Sequence, residues 1–103
     1  MKRLFAVCAM LAALGAASAA HANEKLAQSS GCMTCHTVDK KLIGPGYKEM
    51  AAKYSGDKAA AGSLFKKVKA GTQGVWGSIP MPPNAHVKDE DVKTLVQWIL
   101  TQK

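Results

Sequence analysis

The sequence predicts an all-α fold of about four short helices, and three observations carry that expectation. No segment sustains the period-two alternation of apolar and polar residues that marks a half-buried strand. Val92, Leu95, Val96, Ile99 and Leu100 fall at i, i+3, i+4, i+7 and i+8, which draws one apolar stripe along a helix. Upstream of that stripe, residues that start helices (Asn23, Asp57) and a residue that stops them (Gly71) punctuate the chain.

The first 22 residues read differently from the rest. Lys2 and Arg3 precede an almost unbroken apolar run from Leu4 to Ala20, and Ala20-His21-Ala22 puts small residues at −3 and −1 of a cleavage site. This is the pattern of a secretory signal peptide, so residues 1–22 are expected to be removed and residues 23–103 to form the domain. Ala17-Ser18-Ala19 offers a second site. The apolar run falls short of the ~20 residues of a spanning helix, so no membrane span is expected after removal. Cys8 lies inside the run and leaves with it.

Within the domain, Asn23 is placed to cap a short helix over 24–30. Val38 to Gly46 is a loop carrying Gly44-Pro45-Gly46, and Tyr47 to Tyr54 reads as a short helix. Asp57 is a good N-cap for a helix over 58–70, with Gly71 as its stop. Gly71 to Val87, rich in glycine and proline, is a loop that leads into the final striped helix. Trp98 lies on the apolar side of that helix and reads as core.

Cleavage after Ala22 leaves 81 residues with 12 of the 14 basic side chains and all seven acids, a polypeptide charge of about +5. A chain this short makes one domain with a small core. Exported domains of this size usually need a staple. The positive charge is not a nucleic-acid signal, because no basic stripe is interleaved with aromatics and the chain is expected to be exported.

The staple is suggested by Cys32-Met33-Thr34-Cys35-His36, the attachment signature C-x-x-C-H of c-type haem. Residues i and i+3 of a helical turn face the same way, so both cysteines can reach one porphyrin edge, and His36 at i+4 can ligate the iron. In a cytosolic chain the two cysteines would compete for other readings, a redox dithiol or half of a zinc site. The export signal argues against both. A buried haem held by two covalent bonds would supply the missing apolar body.

A saturated haem needs a second axial ligand, and Met33, Met50, Met81 and His86 are the candidates. Met33 is confined to the ring edge between the two cysteines, and Met50 sits in a helix, where a core role is favoured. Met81 is preferred. It lies in Ile79-Pro80-Met81-Pro82-Pro83-Asn84, where three prolines fix φ and remove competing donors, so one thioether can be held at a fixed reach. Met/His ligation raises the potential of haem iron. His86 stays as the alternative, although an exposed side chain near a helix start fits it better. The Pro45 carbonyl could accept from His36 Nδ1, and the Asn84 amide could donate to the Met81 sulfur. Plain turn chemistry accounts for both equally well. Trp76, if buried, needs a partner for its indole N–H, and a haem propionate would serve.

Taken in order, Cys32-Met33-Thr34-Cys35-His36, Ile43-Gly44-Pro45, Gly74-Val75-Trp76-Gly77, Ile79-Pro80-Met81-Pro82-Pro83-Asn84 and Trp98-Ile99-Leu100 resemble the small bacterial class I cytochromes c of the c-551/c-552 (c8) type. The resemblance covers essentially the whole domain. It implies a compact fold of four short helices around one covalently bound haem c, with the N- and C-terminal helices crossing. It also implies covalent attachment at Cys32 and Cys35, axial ligation by His36 and Met81, Pro45 as the acceptor for His36, Asn84 as a donor to Met81, and Trp76 at a propionate. Some members carry an arginine near a propionate where this chain has Lys67, which pairs as a point charge without bidentate geometry. Ala85-His86-Val87-Lys88 is about one residue longer than in some members.

The expected function is that of a periplasmic one-electron carrier, not an enzyme. Its partners would be redox proteins: a reductase or oxidase downstream, and a donor cytochrome or quinol-oxidising complex upstream. By the same resemblance, Met33, Ile79, Pro82 and Pro83 form an apolar docking patch. Lys40, Lys41, Lys48 and Lys66 add a positive rim or simply a solvated face. A monomer is expected. A haem peroxidase or a gas sensor would need a displaceable axial position, which a proline-locked Met81 argues against.

Overall fold

In the computed structural model, residues 23–103 are described, and the expected signal peptide at 1–22 lies outside them. Four α-helices follow one another: α1 (residues 23–29), α2 (Tyr47–Lys53), α3 (Ala60–Ala70) and α4 (Asp89–Leu100), with a 3₁₀ turn at Cys32–Thr34 between the first two. Among the described residues extended pairing is limited to two isolated antiparallel bridges, His36 with Lys41 and Thr72 with Met81. The all-α expectation holds.

Helix α4 organises the core. Its first turn carries Asp89, Glu90 and Asp91 against the positive end of the helix dipole. Its apolar stripe then divides between two clusters. Leu95, Trp98 and Ile99 pack with Ala27 of α1 and Tyr47 of α2. Val92 and Val96 pack with Leu64 of α3 and with Val87. Ala27 is fully buried, so the small side chain lets α1 lie close across α4. Trp98 is core, as its position on the stripe predicts.

The cap expected at Asn23 falls at the edge of the described residues, and one cap further on differs from expectation. Helix α3 starts at Ala60, after Ala59 and without a side-chain cap. The Asp57 carboxylate does accept a backbone N–H, but from Ala59 at 2.9 Å. A bond to the residue two ahead closes a turn before the helix. Gly71 terminates α3 as expected, with φ at 78° and its N–H on Lys67 O.

Candidate haem-binding site

The clusters around α4 leave an open-sided cleft between them. Leu95, Val96 and Ile99 of α4 line it, so one helix face serves core and cleft together. The 3₁₀ turn and the following loop contribute Cys32, Cys35, His36 and Pro45. The segment between α3 and α4 contributes Trp76, Ile79, Met81 and Pro82. A mostly apolar lining with few polar groups fits a site for a large apolar ligand.

The local fold explains how the first group comes together. Cys35 N donates to Cys32 O at 3.2 Å and His36 N to the same oxygen at 3.0 Å, which winds the motif into one turn. Both thiols are free and half-buried. Burial pushes the Cys32 thiol up from its ordinary pKa. His36 is 8 % exposed, and its Nδ1 lies 2.8 Å from Pro45 O. Because that oxygen only accepts, Nδ1 carries the proton and Nε2 is left with its lone pair, the nitrogen that could bind a metal.

Tyr47, which the sequence did not single out, and Gly44 complete this wall. The Tyr47 ring stacks on His36, with centroids 5.4 Å apart and planes 23° from parallel, and meets Trp98 edge-on at 5.5 Å. Its hydroxyl is buried, faces the Cys32 sulfur and has no partner of good hydrogen-bond geometry. Burial first, and the facing Cys32 second, push the phenol well above its ordinary pKa. Gly44 backs the imidazole: a Cβ there would lie 2.5 Å from His36 Cε1. Only the residue without a side chain lets the loop pass so close. Gly44 was legible as part of Ile43-Gly44-Pro45, whereas nothing at the start of α2 marks Tyr47 as the stacking partner.

The second wall is a loop pinched at its base. Thr72 N donates to Met81 O at 3.0 Å and Met81 N to Thr72 O at 2.9 Å. Gly71 permits this approach, since a Cβ would lie 2.6 Å from Met81 O. Met81 is half-buried and lines the cleft. Of the other axial candidates, Met50 also lines the cleft and packs against both core clusters. Met33 packs against the Ala27 cluster. His86 is exposed and outside the cleft.

Asn84 differs from expectation. It does not line the cleft, and its amide nitrogen lies 3.2 Å from both Val68 O and Pro82 O. Its two N–H donors therefore meet carbonyls of the supporting turn and not the Met81 sulfur. Carbonyls are stronger acceptors than a thioether. Trp76 lines the cleft with Lys53 Nζ 4.3 Å from its ring centroid, a cation–π contact. Lys67 also lines the cleft, and its Nζ lies 3.4 Å from the Tyr54 hydroxyl. Of the lysines expected on the rim, Lys48 is paired with Asp39.

A model of the cytochrome c family matches residues 20–103. The chain belongs to that family. It is a small class I cytochrome c of the c-551/c-552 type, and its relatives agree on this. It is 54% identical over 88 residues to cytochrome c-551 of Allochromatium vinosum, covering 85% of this chain and 94% of that one. It is 50% identical over 91 residues to cytochrome c-552 of Nitrosomonas europaea, covering 88% of each. The crystal structure of wild-type Nitrosomonas europaea cytochrome c552 superposes with a TM-score of 0.75 at 50% identity, over 78% of this chain and 99% of that chain. Members of this cytochrome c family carry one covalently attached haem c with its iron. The cleft fits that group: two free thiols and an oriented imidazole on one wall, a methionine on the other, apolar side chains between. Among the described residues, no helix is long and apolar enough to cross a membrane.

Proposed function

We propose that this cytochrome c is a periplasmic one-electron carrier in which Cys32 and Cys35 hold the haem, and His36 and Met81 are the axial ligands of its iron. The observation that carries the reading is that Cys32, Cys35 and His36 of one turn and Met81, remote from them in sequence, line one apolar cleft, with His36 Nδ1 engaged by Pro45 O and Nε2 free. When bound, haem c supplies an iron that gains and loses one electron.

The chain's own residues do the rest. The Pro45 carbonyl fixes the imidazole tautomer and orientation, as a buried acceptor does for a metal-ligating histidine. Tyr47 and Gly44 hold the ring from its two other sides. The Thr72 pairing at the base of the loop restrains Met81. With His36 and Met81 both holding the iron, no position on it would be left for a substrate, which is the property of a carrier and not of a catalyst. Leu95, Val96 and Ile99 keep water from the cleft floor. Trp76 and Lys67 stand where they can meet the polar edge of the group.

Ile79, Leu42 and Ile43, at 63%, 53% and 49% of full exposure, are the exposed apolar side chains open to redox partners. A periplasmic reductase or oxidase and an upstream donor are the partner classes. Export through the 1–22 signal supplies the compartment. The test is attachment itself. Cys32→Ser with Cys35→Ser, expressed with periplasmic export, is expected to yield chain whose mass lacks the haem. Covalent haem on the double variant would overturn the assignment.

A further inference from the structure

The segment after Met81 has an unusual donor problem. Pro82 and Pro83 have no N–H, so Asn84 is the first residue past the ligand loop whose backbone can donate. It does so to Val68 O at 3.1 Å, and its side chain adds a second bond to the same oxygen at 3.2 Å. The chain then turns, with Val87 N donating to Asn84 O at 3.1 Å. Lys69, the next residue of α3, reaches the far end of this turn. Its Nζ lies 2.7 Å from Val87 O and 3.0 Å from Asp89 Oδ1. The return segment is thus fastened at both ends to Val68 and Lys69, in the last turn of α3. The same end of that helix leads through Gly71 to Thr72, which pairs with Met81.

We propose that Lys69 is a positioning residue for Met81. It clamps Val87 and Asp89 so that the segment 82–88 cannot drift from α3, and the thioether is kept at its place in the cleft. The proposal rests on the reading that Met81 ligates the iron. The clamp has the right chemistry for the task. A charge-assisted bond to a backbone carbonyl is stronger than a neutral one, and the Lys69 side chain is only 25% exposed. The carboxylate it also meets opens α4, so one cation joins the loop exit, the helix start and the platform beneath Met81.

The test uses the haem-loaded protein in its oxidised form and imidazole as the probe, which binds only when Met81 leaves. Lys69→Met keeps the apolar stem and removes the donors. Lys69→Arg restores donors at the same place. Lys58→Met removes an exposed lysine elsewhere and controls for net charge. Lys69→Met is expected to tighten imidazole binding roughly ten- to a hundredfold, the scale of one hydrogen bond to a charged group. Lys69→Arg and Lys58→Met are expected to stay within about twofold of the wild type, a shift too small for the loss of such a bond. Titrations are run well below the denaturation midpoint of each variant, so that loss of the fold cannot imitate the effect. An unchanged affinity in Lys69→Met, or an equal shift in Lys58→Met, overturns the proposal alone. A wild-type spectrum without an iron–methionine band would overturn the ligand reading and this proposal with it.

Discussion

Gly44 lies against the His36 imidazole so closely that a methyl group would stand 2.5 Å from Cε1, 2.8 Å from Nδ1 and 3.1 Å from Nε2. The contact and the Nδ1 bond to Pro45 O come from adjacent residues of one loop. That loop therefore sets the ring's plane from one side and its tautomer from the other.

Gly44→Ala is expected to destabilise the protein by about 1–3 kcal/mol, the range for overpacking a filled site. It is also expected to weaken the imidazole bond to Pro45 O. Gly62→Ala is the matched control. Gly62 lies within α3 with nothing near its missing Cβ, so alanine there is expected to stabilise by about 0.5–1 kcal/mol. Denaturant titrations of both variants check the opposite signs. A neutral Gly44→Ala would mean that the ring has room to move.

Tyr47 presents a different balance. Its ring is core, but its hydroxyl is buried without a good partner. Tyr47→Phe is therefore expected to be neutral or stabilising by up to about 1 kcal/mol, because it removes a desolvation cost and leaves the packing. The pH dependence has a defined sign. The folded-state pKa of Tyr47 is raised, so the folded chain holds this proton more tightly than the unfolded chain. Its contribution is fully present below the unfolded value of about 10 and is lost as pH rises above it. Wild-type stability should fall relative to Tyr47→Phe above that pH, measured by unfolding both proteins across the alkaline range. A constant difference between them would contradict the buried hydroxyl.

Lys53 and Trp76 join the C-terminal end of α2 to the loop that carries Met81. Lys53 is exposed, so a coupling of about 0.5–1 kcal/mol is expected. A double-mutant cycle of Lys53→Met with Trp76→Leu measures it. Strict additivity would mean that the cation does not hold the indole.

Much of this molecule was legible before its structure. The stripe Val92 to Leu100 identified α4 because a helix that packs on two sides needs a wide apolar face, and periodicity records that directly. The gathering of Cys32, Cys35 and His36 on one wall was legible because it is local to one turn. The place of Met81 on the cleft was legible because its prolines restrict a loop whatever surrounds it. Asn84 was not. Its amide goes to Val68 O and Pro82 O, and no local rule says which acceptor a side chain meets after the chain folds back. The same holds for Asp57, where a good N-cap residue closes a turn with Ala59 and leaves α3 to start later. Tyr47 on His36, Lys53 on Trp76 and Lys69 on Val87 are long-range contacts. Their residue types are compatible with many neighbours, so only the packing selects the pair.

The account stands most directly on Met81. The measurement is the visible absorption spectrum of the haem-loaded protein in its oxidised form, wild type beside Met81→Ala. The wild type is expected to show the weak long-wavelength band of an iron–methionine bond. The variant is expected to lose that band while its haem stays covalently attached through Cys32 and Cys35. A band that survives Met81→Ala would contradict the assignment and move the second ligand to another side chain, with Met50, which shares the cleft, as the first to examine.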